Sequence, residues 1–295
     1  MKTLIVRLYG LYLNLLAIFF PAKAAEKGFI LFCRPFRLPI SQKQKEFFNS
    51  ADKFSLKLDD ETIQGYRWGR GSKNVLFLHG WQSHTYRWKA YVEALPKDEY
   101  TIYALDAPGH GLSSGSFLSV PLYSNLIDSF IRDHGPFHAV IGHSLGGFSL
   151  LYTLYKFPLL EVNKVILLAP PGEASDFISV FEKTLRLNKR TLQLVLDHFG
   201  ERYSVTPEYF STLRFAGSLK AKGLIIHDEE DLEAPHHYSI PLQRAWEKSK
   251  LISTKGFGHN LRSKTVVDEV VRFVEDENID RVKTSRSAFS LHGEN

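Results

Sequence analysis

The sequence predicts an α/β fold in which a mostly parallel, eight-stranded sheet carries helices on both faces. First, short apolar runs alternate with helical patterns along most of the 295 residues, as they do in chains that build a parallel sheet between helices. Second, two runs at 54–68 alternate apolar and polar side chains. Third, a Gly-x-Ser-x-Gly motif at residues 142–146 joins an apolar run directly to a helical pattern.

The strands are predicted in chain order. Residues 54–58 and 62–68 flank an acidic turn at 59–61, which predicts an antiparallel hairpin at the sheet edge. Six further strands are predicted near 75–79, 101–105, 137–142, 164–169, 222–228 and 250–254. Helical patterns separate these later strands, so we expect them to be parallel.

A long insertion interrupts this alternation. About fifty residues lie between 172 and 222, whereas a crossover takes only about a dozen residues. They contain three helical patterns and predict a cap over the site. The predicted organisation is an apolar and basic N-terminal segment, a core in two parts, a cap and a polar tail, at 1–50, 51–172 with 218–276, 173–217 and 277–295.

Ser144, the serine of the Gly-x-Ser-x-Gly motif, is the candidate nucleophile. In such a motif the serine lies on a strained strand-to-helix turn with its hydroxyl exposed above the sheet. Gly142 and Gly146 suit the turn, because side chains there would collide across it. The alternative is a glycine-rich turn with a capping serine. The two interpretations differ in whether the chain also supplies a base, an acid and an oxyanion hole.

A base and an acid are both available downstream. His259 is the candidate base, because it follows a strand in a Gly-Phe-Gly-His loop, from which its ring can reach the serine. The acid is expected in the loop after the strand at 222–227, where Asp228, Glu230 and Asp231 are the candidates. Ligand sites of open α/β sheets gather at the carboxyl ends of strands. The alternative interpretation for each carboxylate taken alone is an ordinary residue of a solvated loop.

The oxyanion hole requires two backbone N–H donors. One is expected from Leu145, which follows the candidate nucleophile, and the other from the loop after an earlier strand. The strand near 75–79 is followed by Gly80 and Trp81. Trp81 N–H is the predicted second donor, with Gly80 giving the backbone the freedom to aim it. Its indole ring can serve as a core aromatic at the same time.

These motifs resemble the α/β-hydrolase family from about residue 56 to residue 274. The resemblance rests on His-Gly-Trp at 79–81, Asp-Ala-Pro-Gly-His-Gly-Leu-Ser at 106–113, the serine motif, the acidic loop with Pro235, and the His259 loop. Within the family the chain is similar to serine esterases and lipases with a short helical cap. The resemblance implies that Asp231 is the acid, with Glu230 and then Asp228 as alternatives. The strand before the acid usually ends in His-Gly, and here it ends in His-Asp at 227–228.

The resemblance implies a serine hydrolase that cleaves a small-molecule carboxylic ester through an acyl-enzyme, without a cofactor. The alternatives are acyl transfer, or cleavage of an amide, thioester or carbon–carbon bond, on the same triad. A non-catalytic ligand-binding α/β domain is the interpretation from another class. No residues have the spacing of a metal site. Nucleic acid is not expected as a partner, because the basic residues concentrate in 1–50 rather than on the catalytic domain.

The N-terminal segment is apolar and basic. Residues 8–20 are almost wholly apolar, and residues 1–50 contain eight Lys+Arg against two Glu. Thr3, Arg7, Gly10 and Asn14 recur at spacings that place them in one narrow stripe on a helix. One interpretation is an uncleaved helix peripheral to the inner face of the membrane in a cytoplasmic protein. The others are a signal peptide cleaved near 21–24 and a helix that packs in the core.

Overall fold

The computed structural model describes residues 2–276 and 290–292 and divides the chain into two compact units. Unit 1 combines Met1–Arg34 with Glu173–Arg214. Unit 2 contains residues 35–172 and the chain from Phe215 onward. Residues 1–34 of the predicted N-terminal segment (1–50) and residues 173–214 of the predicted cap (173–217) thus belong to the same unit, although 138 residues separate them, whereas residues 35–50 and 215–217 belong to unit 2.

Unit 2 is built on a nine-stranded sheet in the order β1-β2-β4-β3-β5-β6-β7-β8-β9. β2 pairs antiparallel with both β1 and β4, and every other pair is parallel. The strands are Asp52–Leu58, Glu61–Trp68, Lys73–Leu78, Tyr100–Leu105, Phe137–His143, Val162–Leu168, Lys222–Asp228, Ser249–Lys255 and Ser290–His292. The prediction of an α/β fold with a mostly parallel sheet is confirmed.

The first eight strands are the eight that the sequence predicts, with ends that shift by one or two residues. The ninth, Ser290–His292, pairs with β8. It lies in the predicted polar tail at 277–295, of which residues 277–289 and 293–295 lie outside the described part of the chain. In the central strands, side chains on both faces are buried: all six residues of β4 and all but the first of β7 are buried. This is the burial expected where helices cover both faces.

Eleven α-helices lie within the described residues, together with three single 3₁₀ turns. Numbered α1 to α11, the helices are Lys2–Phe19, Pro21–Phe32, Gln42–Asn49, Lys89–Ala94, Val120–His134, Leu145–Lys156, Ala174–Leu185, Lys189–Tyr203, Thr212–Ala216, Ser239–Ala245 and Lys264–Glu275. Local sequence sets several starts. The Ser119 side chain accepts a hydrogen bond from Leu122 N at 3.3 Å at the start of α5, and Asn188 accepts one from Thr191 N at 2.8 Å at the start of α8.

Unit 1 packs α1 and α2 against α7 and α8. Leu13 of α1 lies in one apolar cluster with Leu185 and Leu187 at the end of α7. Phe29 of α2 contacts the ring of Phe199 in α8, with 6.1 Å between ring centroids. No helix in the described part of the chain is both long and apolar enough to cross a membrane.

Two residues of the polar stripe of α1, Gly10 and Asn14, face this packing. A Cβ built on Gly10 would lie 1.8 Å from the carbonyl oxygen of Leu185, so only glycine allows this approach. Four residues later, the Asn14 amide donates to Arg186 O and accepts from Asn188 N, both at 3.0 Å. These bonds satisfy backbone groups where α7 ends and α8 begins. These two positions of the stripe are therefore contacts within unit 1, whereas the Arg7 side chain is exposed.

Candidate active site

Ser144 lies on the turn between β5 and α6, with its backbone at φ 50° and ψ −124°. Backbone strain of this kind costs about 1–3 kcal/mol, and strained residues cluster at functional sites. The turn has no room for a side chain at Gly142, where a Cβ would lie 2.5 Å from Gly147 Cα. The Ser144 N–H donates to Leu168 O at 2.9 Å, which fixes the turn against β6. The sequence therefore holds this serine in a strained conformation at the start of a helix.

Three predicted residues are joined by hydrogen bonds. Ser144 Oγ lies 2.9 Å from His259 Nε2, and His259 Nδ1 lies 2.8 Å from Asp231 Oδ2. Because an ionised carboxylate only accepts, Nδ1 carries the proton and Nε2 is free to accept from the serine hydroxyl. The His259 side chain is 11% exposed and the Asp231 side chain is fully buried. A hydroxyl bonded in this way can lose its proton to the imidazole as it attacks a carbonyl carbon.

Asp231 is held ionised by four donors. Its Oδ1 accepts from Glu233 N at 2.8 Å and Ala234 N at 2.9 Å, and its Oδ2 accepts from His259 and, at 3.2 Å, from His227 Nε2. Burial acts to raise the pKa of this carboxyl, but the hydrogen bonds from the two imidazoles and Ala234 N–H outweigh it and hold the pKa below its usual range. The site therefore keeps a negative charge beside His259 at neutral pH.

The two alternative acids have other contacts. Asp228 is completely buried and accepts from Thr254 Oγ1 at 2.8 Å, Phe257 N at 2.9 Å and Glu230 N at 3.0 Å. It thus bonds the loop of Asp231 to the loop of His259. Glu230 has a 55% exposed side chain whose carboxylate lies 3.8 Å from Lys255 Nζ. The aspartate that replaces the usual glycine after His227 therefore braces the loops, and neither alternative has a recorded contact with the His259 ring.

His143, between Gly142 and Ser144, is a positioning residue that sequence reasoning missed. Its Nε2 donates to the carbonyl oxygen of His259 at 2.9 Å. Its other ring nitrogen is buried without a hydrogen-bond partner. Burial, assisted by the positive charge of Arg87, holds the pKa of His143 well below its usual range. The neutral ring with Nε2 protonated fits both observations, and it anchors the backbone of the candidate base.

The loop after β3 reaches the nucleophile. A Cβ built on Gly80 would lie 2.9 Å from Ser144 Cβ and 3.1 Å from His143 Nδ1, so this glycine permits a close approach of the backbone. The predicted oxyanion donors, Trp81 N–H and Leu145 N–H, follow Gly80 and Ser144 directly. The Trp81 ring packs edge-on against the ring of His110, with centroids 5.6 Å apart.

Two buried histidines hold this loop. His110 Nε2 accepts from Gln82 N at 3.0 Å while its Nδ1 donates to Pro108 O at 2.9 Å. His79 Nε2 accepts from Ala107 N at 2.9 Å while its Nδ1 donates to Gly80 O at 2.7 Å. Burial lowers the pKa of each ring to about 3. Both rings are therefore neutral at physiological pH. Each keeps one unprotonated nitrogen, which can accept a hydrogen bond from a backbone N–H.

Asp106, the first residue of the 106–113 motif, is a structural residue. It is fully buried and accepts from Tyr66 Oη at 3.1 Å, Thr85 N at 2.9 Å and Leu112 N at 2.9 Å. Its role in the structure is to hold the neighbouring loops. Within residues 2–276 and 290–292, no group of three or more His, Cys, Asp or Glu side chains is arranged to hold a metal ion.

Sequence comparisons relate the chain to known proteins. A profile described as the alpha/beta hydrolase family matches residues 75–254. The dihydrolipoyllysine-residue acetyltransferase component of the acetoin cleaving system of Cupriavidus necator is 30% identical over 54% of this chain and 42% of its own. The pimeloyl-[acyl-carrier protein] methyl ester esterase of Nitrosomonas europaea is 27% identical over 49% of this chain and 55% of its own. The chain thus spans about half the length of these relatives, and others are described as serine hydrolases or serine hydrolase-like proteins.

Solved structures have the same fold. The Pyrococcus furiosus esterase Pf2001 superposes with a TM-score of 0.59 at 18% identity, covering 82% of this chain and 94% of that one. The family profile covers more than half of the chain and includes most of β3, the serine turn and the acidic loop. The chain belongs to the alpha/beta hydrolase family.

Proposed function

We propose that the protein is a serine hydrolase that cleaves a carboxylic ester. The observation that supports the proposal is the continuous hydrogen-bond chain from Ser144 Oγ through His259 to Asp231. A binding domain has no need of a strained serine bonded to an imidazole whose far nitrogen faces a buried carboxylate. The methyl ester esterase among the relatives supports an ester as the substrate class.

In the first half of the proposed reaction, Ser144 Oγ attacks the acyl carbon as its proton passes to His259 Nε2. Asp231 stabilises the imidazolium that results. The oxyanion accepts hydrogen bonds from Trp81 N–H and Leu145 N–H, and a donor of this kind contributes about 3–4 kcal/mol to the transition state. Collapse of the tetrahedral intermediate breaks the bond to the leaving alcohol, which takes the proton from His259 and leaves an ester on Ser144.

Water completes the cycle. It attacks the acyl carbon on Ser144 as His259 Nε2 accepts one of its protons, and the second tetrahedral intermediate forms in the same oxyanion hole. When the bond from carbon to Ser144 Oγ breaks, the proton returns from His259 to the serine. The products are one carboxylic acid and one alcohol, and the enzyme is unchanged.

Labelling with a fluorophosphonate tests the proposal, since this reagent reacts with an activated serine. We expect the unmodified chain to be labelled, and Ser144→Ala and His259→Ala to remain unlabelled. Hydrolysis of short p-nitrophenyl esters should fall at least about 10⁴-fold in Ser144→Ala. Ser149→Ala, a change to a serine further along α6, is the matched control and should keep both reactions. An unlabelled wild-type chain, or a labelled Ser144→Ala, would refute the assignment.

Acyl transfer is the second candidate, because the Cupriavidus necator relative is described as an acetyltransferase component. The same acyl-enzyme would then pass its acyl group to an alcohol or thiol instead of water. Product analysis with added alcohol or thiol acceptors separates the two functions. Hydrolysis predicts that the carboxylic acid dominates at every acceptor concentration below the molar range. Transfer predicts that a millimolar acceptor captures most of the acyl group.

A further inference from the structure

The outer face of α1 is a continuous apolar surface. Its large side chains are between about two fifths and three quarters exposed, whereas Gly10, Leu13 and Ala17 on the opposite face are buried. The exposed members are Leu4, Ile5, Leu8, Tyr9, Leu11, Tyr12, Leu15, Ile18 and Phe19. These residues span about 180° of the helix circumference at 100° per residue. We call this surface the α1 outer face.

The helix cannot rotate to bury this face. Gly10 lies against the Leu185 carbonyl, and Asn14 is bonded to both Arg186 and Asn188. A rotation would break both Asn14 bonds and move a side chain into the space that only Gly10 allows. The α1 outer face is therefore a fixed feature of unit 1. Exposed apolar surfaces of this size mark protein or membrane contacts.

Charge on the neighbouring helix indicates what covers the face. Lys23 and Lys27 are exposed on one side of α2, together with Ile30, and Arg34 is exposed two residues after α2 ends. Lys23 Nζ lies 5.4 Å from the centroid of the Phe20 ring, next to the end of the α1 outer face. Glu26 is the one acidic residue in the first 34 residues. The apolar face thus continues into a basic stripe.

We propose that unit 1 docks on an anionic lipid surface, with α1 lying in the plane of the membrane. The α1 outer face enters the boundary between headgroups and acyl chains, and the basic stripe of α2 binds anionic headgroups. Tyr9 and Tyr12, whose rings meet edge-on at 5.6 Å, suit this boundary because each has an apolar ring and a polar tip. The opposite face of α1 contacts the protein rather than water.

Vesicle co-sedimentation of the full chain tests the proposal. We expect binding to vesicles of phosphatidylglycerol and phosphatidylcholine and at least about 10-fold weaker binding to phosphatidylcholine alone. Replacing three leucines of the α1 outer face, as Leu8→Gln, Leu11→Gln and Leu15→Gln together, should weaken binding at least about 100-fold. Glutamine adds no charge, so this loss measures the apolar contact.

A charge variant measures the second contribution. Lys23→Gln, Lys27→Gln and Arg34→Gln together should weaken binding to anionic vesicles about 100-fold, at about fivefold per residue. Binding to neutral vesicles should change less than twofold. If binding to both vesicle types falls equally, the basic stripe has no headgroup contact and that part of the proposal is wrong.

Controls separate docking from folding, self-association and catalysis. Leu159→Gln changes a leucine that is 86% exposed in unit 2 and should bind as wild type does. Far-UV circular dichroism should be the same for all variants. Ser144→Ala should bind vesicles normally, so a failure of the proposed function leaves this test intact. If the wild-type chain does not bind vesicles, the proposal is wrong. If the wild-type chain is a dimer without vesicles and the triple leucine variant is a monomer, the α1 outer face is a self-association surface and the proposal is also wrong.

Discussion

The loops around Ser144 and the first helix of unit 1 depart in opposite ways from the usual distribution of polar and apolar groups in a protein. The loops bury charged and polar groups, and each is surrounded by donors: Asp231 accepts four hydrogen bonds and Asp228 accepts three. Helix α1 instead exposes its large apolar side chains. Burying the charged and polar groups of the loops costs desolvation free energy, which only a matched set of hydrogen-bond partners offsets. Exposing the apolar side chains of α1 to water also costs free energy, a cost that the proposed lipid surface would remove.

Replacing the buried acid should have the largest effect on the loops. Asp231→Asn keeps the shape but lets its amide donate, which favours the wrong tautomer of His259. We expect kcat for ester hydrolysis to fall about 10⁴-fold. Glu230→Gln is the matched control, because it makes the same change one residue earlier on an exposed side chain, and kcat should stay within twofold. A larger loss in Glu230→Gln than in Asp231→Asn would transfer the role of acid to Glu230.

Acid should destabilise unit 2 through its neutral histidines. His79, His110 and His143 have folded-state pKa values below the unfolded value of 6.5, so the unfolded chain binds more protons below that pH. Stability is therefore unaffected above pH 7 and falls as pH decreases from about 6.5 towards 3. Between pH 7.5 and 5.5 we expect a loss of about 4 kcal/mol in the free energy of unfolding, or about 1.4 kcal/mol per histidine.

Urea unfolding at the two pH values measures this loss. The depressed pKa of Asp231 acts in the same direction, but only below the usual carboxyl range, so it does not contribute between pH 7.5 and 5.5. Equal free energies of unfolding at the two values would mean that the three rings are accessible to protons in the folded state.

Two glycine substitutions compare close packing with open space inside unit 1. Gly10→Ala places a Cβ 1.8 Å from a backbone oxygen, whereas Gly200→Ala, also in a helix, meets nothing within 4 Å. Gly10→Ala should destabilise the protein by about 3 kcal/mol, and Gly200→Ala should stabilise it by about 1 kcal/mol through helix propensity. Chemical denaturation gives both values. A neutral or stabilising Gly10→Ala would show that α1 is not fixed by the Gly10 contact.

The smallest effect should come from the histidine beside the nucleophile. His143→Leu removes the donor to His259 O, so kcat should fall about 10-fold because the base loses its anchor, while KM changes less than twofold. His143→Gln retains an N–H donor and should recover kcat to within threefold of wild type. An equal loss in both variants would mean that ring packing, not the hydrogen bond, is what His143 supplies.

The sequence predicted the parts that short motifs control. The Gly-x-Ser-x-Gly turn, the glycine-flanked His259 and the eight strands are local patterns, and the structure has them at those residues. It did not predict the roles of His143 and Asp228, because their partners, His259 O and Phe257 N, lie 116 and 29 residues away. A buried histidine inside the motif and an unusual aspartate after His227 were the available signals.

The N-terminal helix shows a different limit. Its stripe through Gly10 and Asn14 was visible, but helical periodicity gives only the angle between two faces and not the surroundings of each. A small residue and an amide suit water and suit a close helix contact equally well. The choice depends on Leu185 and Asn188, which are more than 170 residues away in the sequence.

Asp228 has a mechanical consequence. Its carboxylate connects Glu230 N, Thr254 Oγ1 and Phe257 N, and so acts as a non-covalent crosslink between the segment that contains Asp231 and the segment that contains His259. A thermal displacement of one segment carries the other with it. The distance between the His259 and Asp231 side chains should consequently fluctuate less than the distance from either segment to the sheet. The hydrogen bond between these two side chains can therefore persist while the loops move.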